Sequence, residues 1–314
     1  MKKIINNICV LTAMLLVVAS CSPTTLIAET PDSVVTTSVG EMLLDCDQIA
    51  HIYSDSTFLV ATGVECTDLH FKVMDGFVVH AHLIKADLNV AGVAIGVSMP
   101  DNVDVYGGPW SKQTLSNMAD CHDRSGARVV AMTNGDFWDT SYTIPRGPIH
   151  RNGNTLSGVY NYSEAVPQQA ISFVALNSDG QMVIADASLY SEMASELKEV
   201  TGSGVIMLQY GEVPAIEYTA RDPRTAIGYT DDGVVYMLTA DGRATLYSDG
   251  MSYQEMGSLF KALGCEAAVN LDGGGSAQML IRNPVSQSFQ IRNVPSDGSE
   301  RAVINGWYVT VDEK

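Results

Sequence analysis

The chain is poor in positive charge: its 314 residues carry 18 Lys and Arg against 36 Asp and Glu, a formal net charge of -18. Such a surface repels phosphate backbones and anionic lipid, so nucleic acid is excluded as a partner and any anion must be captured locally. No C-x-x-C pair occurs, which removes the usual ligands of zinc ribbons and thiol-redox sites. His80 and His82 alternate on what would be one strand face, but no third ligand is evident, so neither a metal nor a cofactor is expected. The Gly-Lys-Ser/Thr of a Walker loop is missing. Beyond the N-terminus no apolar run is long enough to cross a membrane. What is present, 46% hydrophobic and 17% charged residues, suits one large or two small domains with a sizeable core.

The N-terminus carries an address. Lys2 and Lys3 precede the apolar run 10–18, and Val18-Ala19-Ser20-Cys21 follows. A basic start and a short apolar segment define a signal peptide over 1–20. The small residues ending in cysteine resemble a bacterial lipobox, which implies cleavage before Cys21 and lipidation of its thiol. The expected location is the bacterial cell envelope, lipid-anchored at the outer membrane on its periplasmic or surface face. Residues 21–40, rich in Ser, Thr and Pro, read as a flexible tether. Segment 41–91 reads as strands packed against the main sheet or as a small accessory lobe, leaving 92–314 as the principal domain. That folded part keeps Cys46, Cys66, Cys121 and Cys265, which allow three disulfide connectivities if they pair.

Helical and strand periods alternate along the middle of the chain. Leu115, Met118, Ala119 and His122 form a stripe within a helix over 111–123, and 127–133 reads as a buried strand. A second such unit has Ser252 and Glu255 as a capping box, Tyr253, Met256, Phe260 and Leu263 on one face, then Gly264 and a strand over 267–271. A third helix is expected over 189–200. Segments 171–184 and 225–239 are each broken by an Asp-Gly turn and read as hairpins. The expected fold class is α+β, a mixed β-sheet core with packed helices and β-hairpins. Overlaying the two helix-strand units matches Asn134-Gly135 to Asp272-Gly273. If the strands are parallel neighbours, Asn134 and Asp272 converge where open sheets bind ligands.

The run Asp272-Gly273-Gly274-Gly275-Ser276 has the character of a site. Glycines let backbone N–H groups approach a bound oxygen and permit positive φ, forming an anion-binding concavity with Asp272 at its rim. Ser276 lacks a neighbouring His in a nucleophile arrangement. Trp110 and Trp138 are of a type that stacks on sugar rings or packs in a core.

Asn134-Gly135-Asp136-Phe137-Trp138, Pro145-Arg146-Gly147, Arg221-Asp222-Pro223-Arg224-Thr225, Asn270-Leu271-Asp272-Gly273-Gly274-Gly275-Ser276 and Arg301-Ala302-Val303 follow in that order. Together they resemble the phosphodiester glycosidase family, which includes a lysosomal enzyme that removes N-acetylglucosamine from mannose-6-phosphate diesters. The resemblance spans 92–311. It implies a hydrolase that cuts between a sugar anomeric carbon and a phosphodiester oxygen, with a sugar phosphate or glycan as substrate. Carried over by position, it makes Asp272, Arg224 and Asn134 the catalytic set. Gly273, Gly274, Gly275, Ser276, Arg301, Arg146 and Asp136 become contacts to substrate or phosphate. Asp136 stands where the family often has a small uncharged residue. Arg224 offers a planar fork for phosphate oxygens; Asp272 attacks the anomeric carbon, activates water or holds a sugar hydroxyl. Two other readings stay open: a glycosidase acting on an anionic polysaccharide, and an inactive glycan-binding lipoprotein.

Overall fold

Three sheets face a shared apolar centre, and the helices lie on their outer surfaces. This computed structural model describes residues 32–312, of which those from Ser33 onward form one unit. The expected signal peptide over 1–20, Cys21 and residues 21–31 of the expected tether lie outside the described residues. The seven-stranded sheet runs Ile49–Ala61, Val64–Val73, Val78–Asp87, Val234–Ala240, Arg224–Tyr229, Ala267–Asn270, Ile206–Leu208. A five-stranded sheet runs Phe289–Ile291, Met279–Arg282, Val129–Asn134, Gly306–Val311, Val93–Ser98. The other is ordered Met182–Asp186, Ser172–Asn177, Leu197–Ser203, Ile149–Arg151, Asn154–Ser157. The strands of segment 41–91 are thus one edge of the largest sheet.

All three sheets contribute to the centre: Val64, Ile227 and Val269 from the first, Val97, Val130 and Trp307 from the second, Ile149, Val174 and Ile184 from the third. Each such side chain contributes roughly 1.5–3 kcal/mol by leaving water. The Trp307 indole N–H donates to Thr201 Oγ1 at 2.8 Å, joining two sheets through a satisfied polar contact. Helix Tyr253–Ala262 starts at the Ser252–Glu255 capping box and covers the outside of the seven-stranded sheet with Tyr253, Met256 and Phe260. Helix Leu115–Arg124 starts later than its periodicity suggests, because the Thr114 side chain takes the Asn117 N–H and caps it there. Both Asp-Gly hairpins form, with Gly180 and Gly233 at φ +80° and +87°.

Three expectations are corrected. Every pairing between named strands is antiparallel, so the sheets are not mixed and the α+β fold is dominated by strands. The helix expected over 189–200 is a short turn, Tyr190–Met193 flanked by 3-10 turns, and 197 onward is the central strand Leu197–Ser203. Its buried Val200 and Phe173 neighbours favour a sheet over a helix of mixed polarity. Strands Val129–Asn134 and Ala267–Asn270 are not neighbours: they belong to different sheets. Cys46, Cys66, Cys121 and Cys265 are free thiols, the first two and the last buried. Among the described residues no helix is long and apolar enough to cross a membrane.

Candidate active site

The two strands leave their separate sheets and meet at their C-terminal ends. Each finishes in a buried asparagine followed, two residues on, by an aspartate: Asn134-Gly135-Asp136 and Asn270-Leu271-Asp272. This pairing of Asn134 with Asn270, and of Asp136 with Asp272, replaces the overlay made on sequence alone. Asn134 Nδ2 donates to the Asp272 carbonyl at 2.6 Å, and its Oδ1 accepts from Thr225 Oγ1 at 2.7 Å and Gln278 N at 3.1 Å. The Asp272 N–H donates to Gly135 O at 2.9 Å. Asn134 therefore lies beneath the site and positions Asp272. Asn270 does the same to the chain beside it, taking the Val205 N–H at 2.6 Å.

Asp136 is 2% exposed. Its Oδ2 accepts from Gly147 N at 2.8 Å, and its own N–H is held by Asn305 Oδ1 at 2.8 Å. Its Oδ1 has no partner, nor has the buried Tyr160 hydroxyl, which is within electrostatic reach of it. Room for the carboxyl comes from Gly147 and Gly202, whose backbones cross here. A β-carbon on Gly202 would lie 2.7 Å from Asp136 Oδ1. Burial pushes the Asp136 carboxyl up to about 8, and the charge of Asp272 adds to this against the Gly147 N–H and Arg146. Asp272 rises less, to about 6: burial raises it, while the Ser276 hydroxyl, the Gly273 N–H, Arg301 and the Trp138 indole favour its charged form.

The glycine run works differently from the expected nest. Gly273 N donates back to Asp272 Oδ1 at 2.9 Å, and Gly274 N to Pro223 O at 2.8 Å, so these donors are already engaged. What the missing β-carbons admit is guanidinium. A side chain on Gly275 would collide with Arg301 and Asp297, and one on Gly274, at φ +59°, would lie 3.0 Å from Arg243 Nη2. Arg301 donates through Nε to Asp297 at 2.7 Å and through Nη1 to the buried Ser276 Oγ at 3.4 Å. Arg243 donates through Nε to Asp222 at 3.0 Å.

Arg224 is not the open fork expected. Its Nε, Nη1 and Nη2 donate to Met251 O, Tyr253 OH and Ala220 O at 3.1, 3.1 and 2.8 Å, and its face covers the Tyr253 ring at 4.3 Å. With three donors taken and 6% exposure, it braces the strand entering the site. Arg146 sits at the Asp136 side, bonded to Asn161 O and Asp139, with its Nε unpartnered. Trp138 reaches Asp272, whereas Trp110 packs on the central core and stacks with Tyr106. His82 bonds Asp68 at 2.7 Å and lies 3.7 Å from Asp241, and His80 stacks between His70 and Tyr247.

Arg243 escaped the sequence reading although a signal existed. Asp241-Gly242 ends strand Val234–Ala240 in the same polar-then-glycine manner as the other site strands. Gly202 and Asn305 had no such signal, since only long-range packing brings them here.

These features define a candidate polar site at the strand ends of a three-sheet scaffold. The sequence profile described as phosphodiester glycosidase matches residues 127–310, and the chain belongs to that family. Its fold is similar to the catalytic domain of zebrafish N-acetylglucosamine-1-phosphodiester alpha-N-acetylglucosaminidase, a structure auto-inhibited by its pro-peptide. The TM-score is 0.58 at 17% identity, over 83% of this chain and 89% of that one. A protein from Synechocystis gives a TM-score of 0.58 at 13% identity, covering 82% of this chain and 64% of that one. An uncharacterized SPbeta prophage-derived protein of Bacillus subtilis (strain 168), YomE, is 42% identical over 89 residues. That match spans 28% of this chain and 13% of the relative's length.

Proposed function

We propose that this protein hydrolyses a sugar-1-phosphodiester by breaking the bond from the anomeric carbon to the phosphate oxygen, with N-acetylglucosamine or a similar sugar on the glycosyl side. The observation that carries the reading is the meeting of Asp136 and Asp272 beside a glycine run overlaid by Arg301 and Arg243. The arginines draw the phosphate to the cleft and offset its charge as the bond breaks. Ionised Asp272 stabilises positive charge developing at the anomeric carbon. Protonated Asp136 donates to the departing phosphate oxygen, the acid and base being separated by their surroundings. Water completes the sugar, and the phosphate leaves as a monoester on its aglycone.

The deciding experiment is hydrolysis of the methyl diester of N-acetylglucosamine-1-phosphate in ¹⁸O-labelled water. Label in the sugar hydroxyl is expected. Label in the phosphate makes the protein a phosphodiesterase and overturns the reading. The protonated Asp136 also favours a second reading, a glycosidase acting on an anionic polysaccharide, because an ordinary glycosidic oxygen needs an acid. Turnover of such a polysaccharide with none of the diester selects it. We place the enzyme in the bacterial envelope, anchored through Cys21. Cys21→Ala is expected to abolish partitioning into detergent; a variant that still partitions after leader removal excludes the anchor.

A further inference from the structure

We infer that Lys112 recognises a second anionic group on the aglycone, so that the preferred substrate is a sugar-1-phosphodiester whose alcohol portion carries a further phosphate or carboxylate. This rests on the activity proposed above and names its substrate class more closely.

The argument starts from where positive charge remains. In the cleft Arg301, Arg243 and Arg146 each hold an aspartate, namely Asp297, Asp222 and Asp139. These pairs lower, but do not remove, the positive charge that meets the scissile phosphate. Lys112 differs. Its Nζ lies 4.0 Å from the centroid of the Trp138 ring, and Trp138 in turn reaches Asp272. Lys112 is exposed, and among the described residues no carboxylate pairs with it, in a chain with twice as many acidic as basic groups. A lysine serving only solubility has no reason to avoid carboxylates in such a chain or to rest on an active-site indole. The ring attracts the ammonium without neutralising it, leaving its donors free for an anion.

The backbone beneath Lys112 is fixed. Gln113 N donates to Val303 O at 3.0 Å and Val303 N to Gln113 O at 2.9 Å, which ties this segment to the one carrying Arg301 two residues earlier. Gln113 also takes the Asp101 N–H at 2.9 Å. Thr114 then caps the helix that follows. The ammonium is thus anchored at the cleft margin by its ring on one side and by a paired backbone on the other. The glycosyl carbon belongs beside Asp272 and the scissile phosphate beside the glycine run. Trp138 follows Asp136 by two residues and carries Lys112 on its ring, and on the inference above the alcohol portion extends to this side.

The test compares two diesters of N-acetylglucosamine-1-phosphate, one with methanol and one with glycerol phosphate as the alcohol, using the full chain. The native protein is expected to show a kcat/KM about tenfold higher on the second, expressed in KM and reduced by added salt. Lys112→Gln is expected to erase that preference while leaving kcat and the methyl diester kinetics unchanged, and Lys112→Arg to keep most of it. Equal kcat/KM for both diesters in the native protein, or an undiminished preference in Lys112→Gln, overturns the subsite alone. Turnover of neither diester overturns the activity and the subsite together.

Discussion

Asn134-Gly135-Asp136 and Asn270-Leu271-Asp272 are two versions of one local plan, and they end in different chemical states. In both, a buried strand closes on an asparagine whose amide pins neighbouring backbone, and an aspartate follows two residues later. After Asp136 come Phe137 and Trp138, and the backbones of Gly147 and Gly202 pack against the carboxyl, leaving one oxygen without a partner. After Asp272 come three glycines, so a hydroxyl, an N–H, a guanidinium and an indole crowd around it. Proton affinity is set by what can approach the carboxyl, and not by the tripeptide that carries it.

The sharpest way to break the comparison is to neutralise its charged member. Asp272→Asn is expected to lower kcat by about 1,000-fold or more without lowering Tm, since the change keeps shape and removes a buried charge. Full activity would remove Asp272 from the mechanism. Asn134→Ala acts from below: it strands the Thr225 hydroxyl and the Gln278 N–H, and is expected to cost ~3 kcal/mol in urea unfolding. Activity should fall with it, by about 10- to 100-fold as Asp272 loses its position. Loss of activity without loss of stability would instead put Asn134 in contact with substrate.

The pair also predicts a pH profile. With Asp272 rising to about 6 and Asp136 to about 8, kcat/KM is expected to be bell-shaped between these values, as a property of the coupled pair. Asp136→Asn should erase the alkaline limb. The sign for stability follows from the raised value. Between pH ~4, where the unfolded chain loses this proton, and pH ~8, where the folded one does, Asp136 makes the fold progressively less stable. Asp136→Asn is therefore expected to raise Tm by about 5 °C at pH 8 and to leave it unchanged at pH 4. A calorimetric gain equal at both pH values would show that burial of the charge is not the cause. The smallest effect belongs to Arg224→Lys: the lost bonds to Met251, Tyr253 and Ala220 should cost ~1–2 kcal/mol, with KM shifted less than about threefold. A KM rise beyond tenfold would return Arg224 to the phosphate.

What was legible in the sequence was local. The capping box at Ser252, the Asp-Gly hairpins and the buried strand near Val129 are set by neighbours a few residues apart, and the structure reproduces them. The family resemblance proposed Asp272, Asp136 and Arg301 for one site, and in the structure Asp136 and Arg301 lie within electrostatic reach of Asp272. The sheet partners were not legible, because strand Val129–Asn134 takes its neighbours from Met279–Arg282 and Gly306–Val311, far along the chain. For the same reason Arg224 read as an open fork. Its acceptors at Ala220 and Met251 depend on how two loops fold back, which spacing does not encode.

The edge of the seven-stranded sheet has a consequence for how the chain is made. Strands Ile49–Ala61, Val64–Val73 and Val78–Asp87 form successive hairpins, but the next partner of the third is Val234–Ala240. During synthesis the first three strands are complete long before that partner exists, leaving the inner rim of Val78–Asp87 with unmatched backbone donors and acceptors. Each long-range closure must meet its entropy before contacts return it, so assembly of this sheet is a slow step. A chain stopped before residue 234 during synthesis would present an adhesive strand edge.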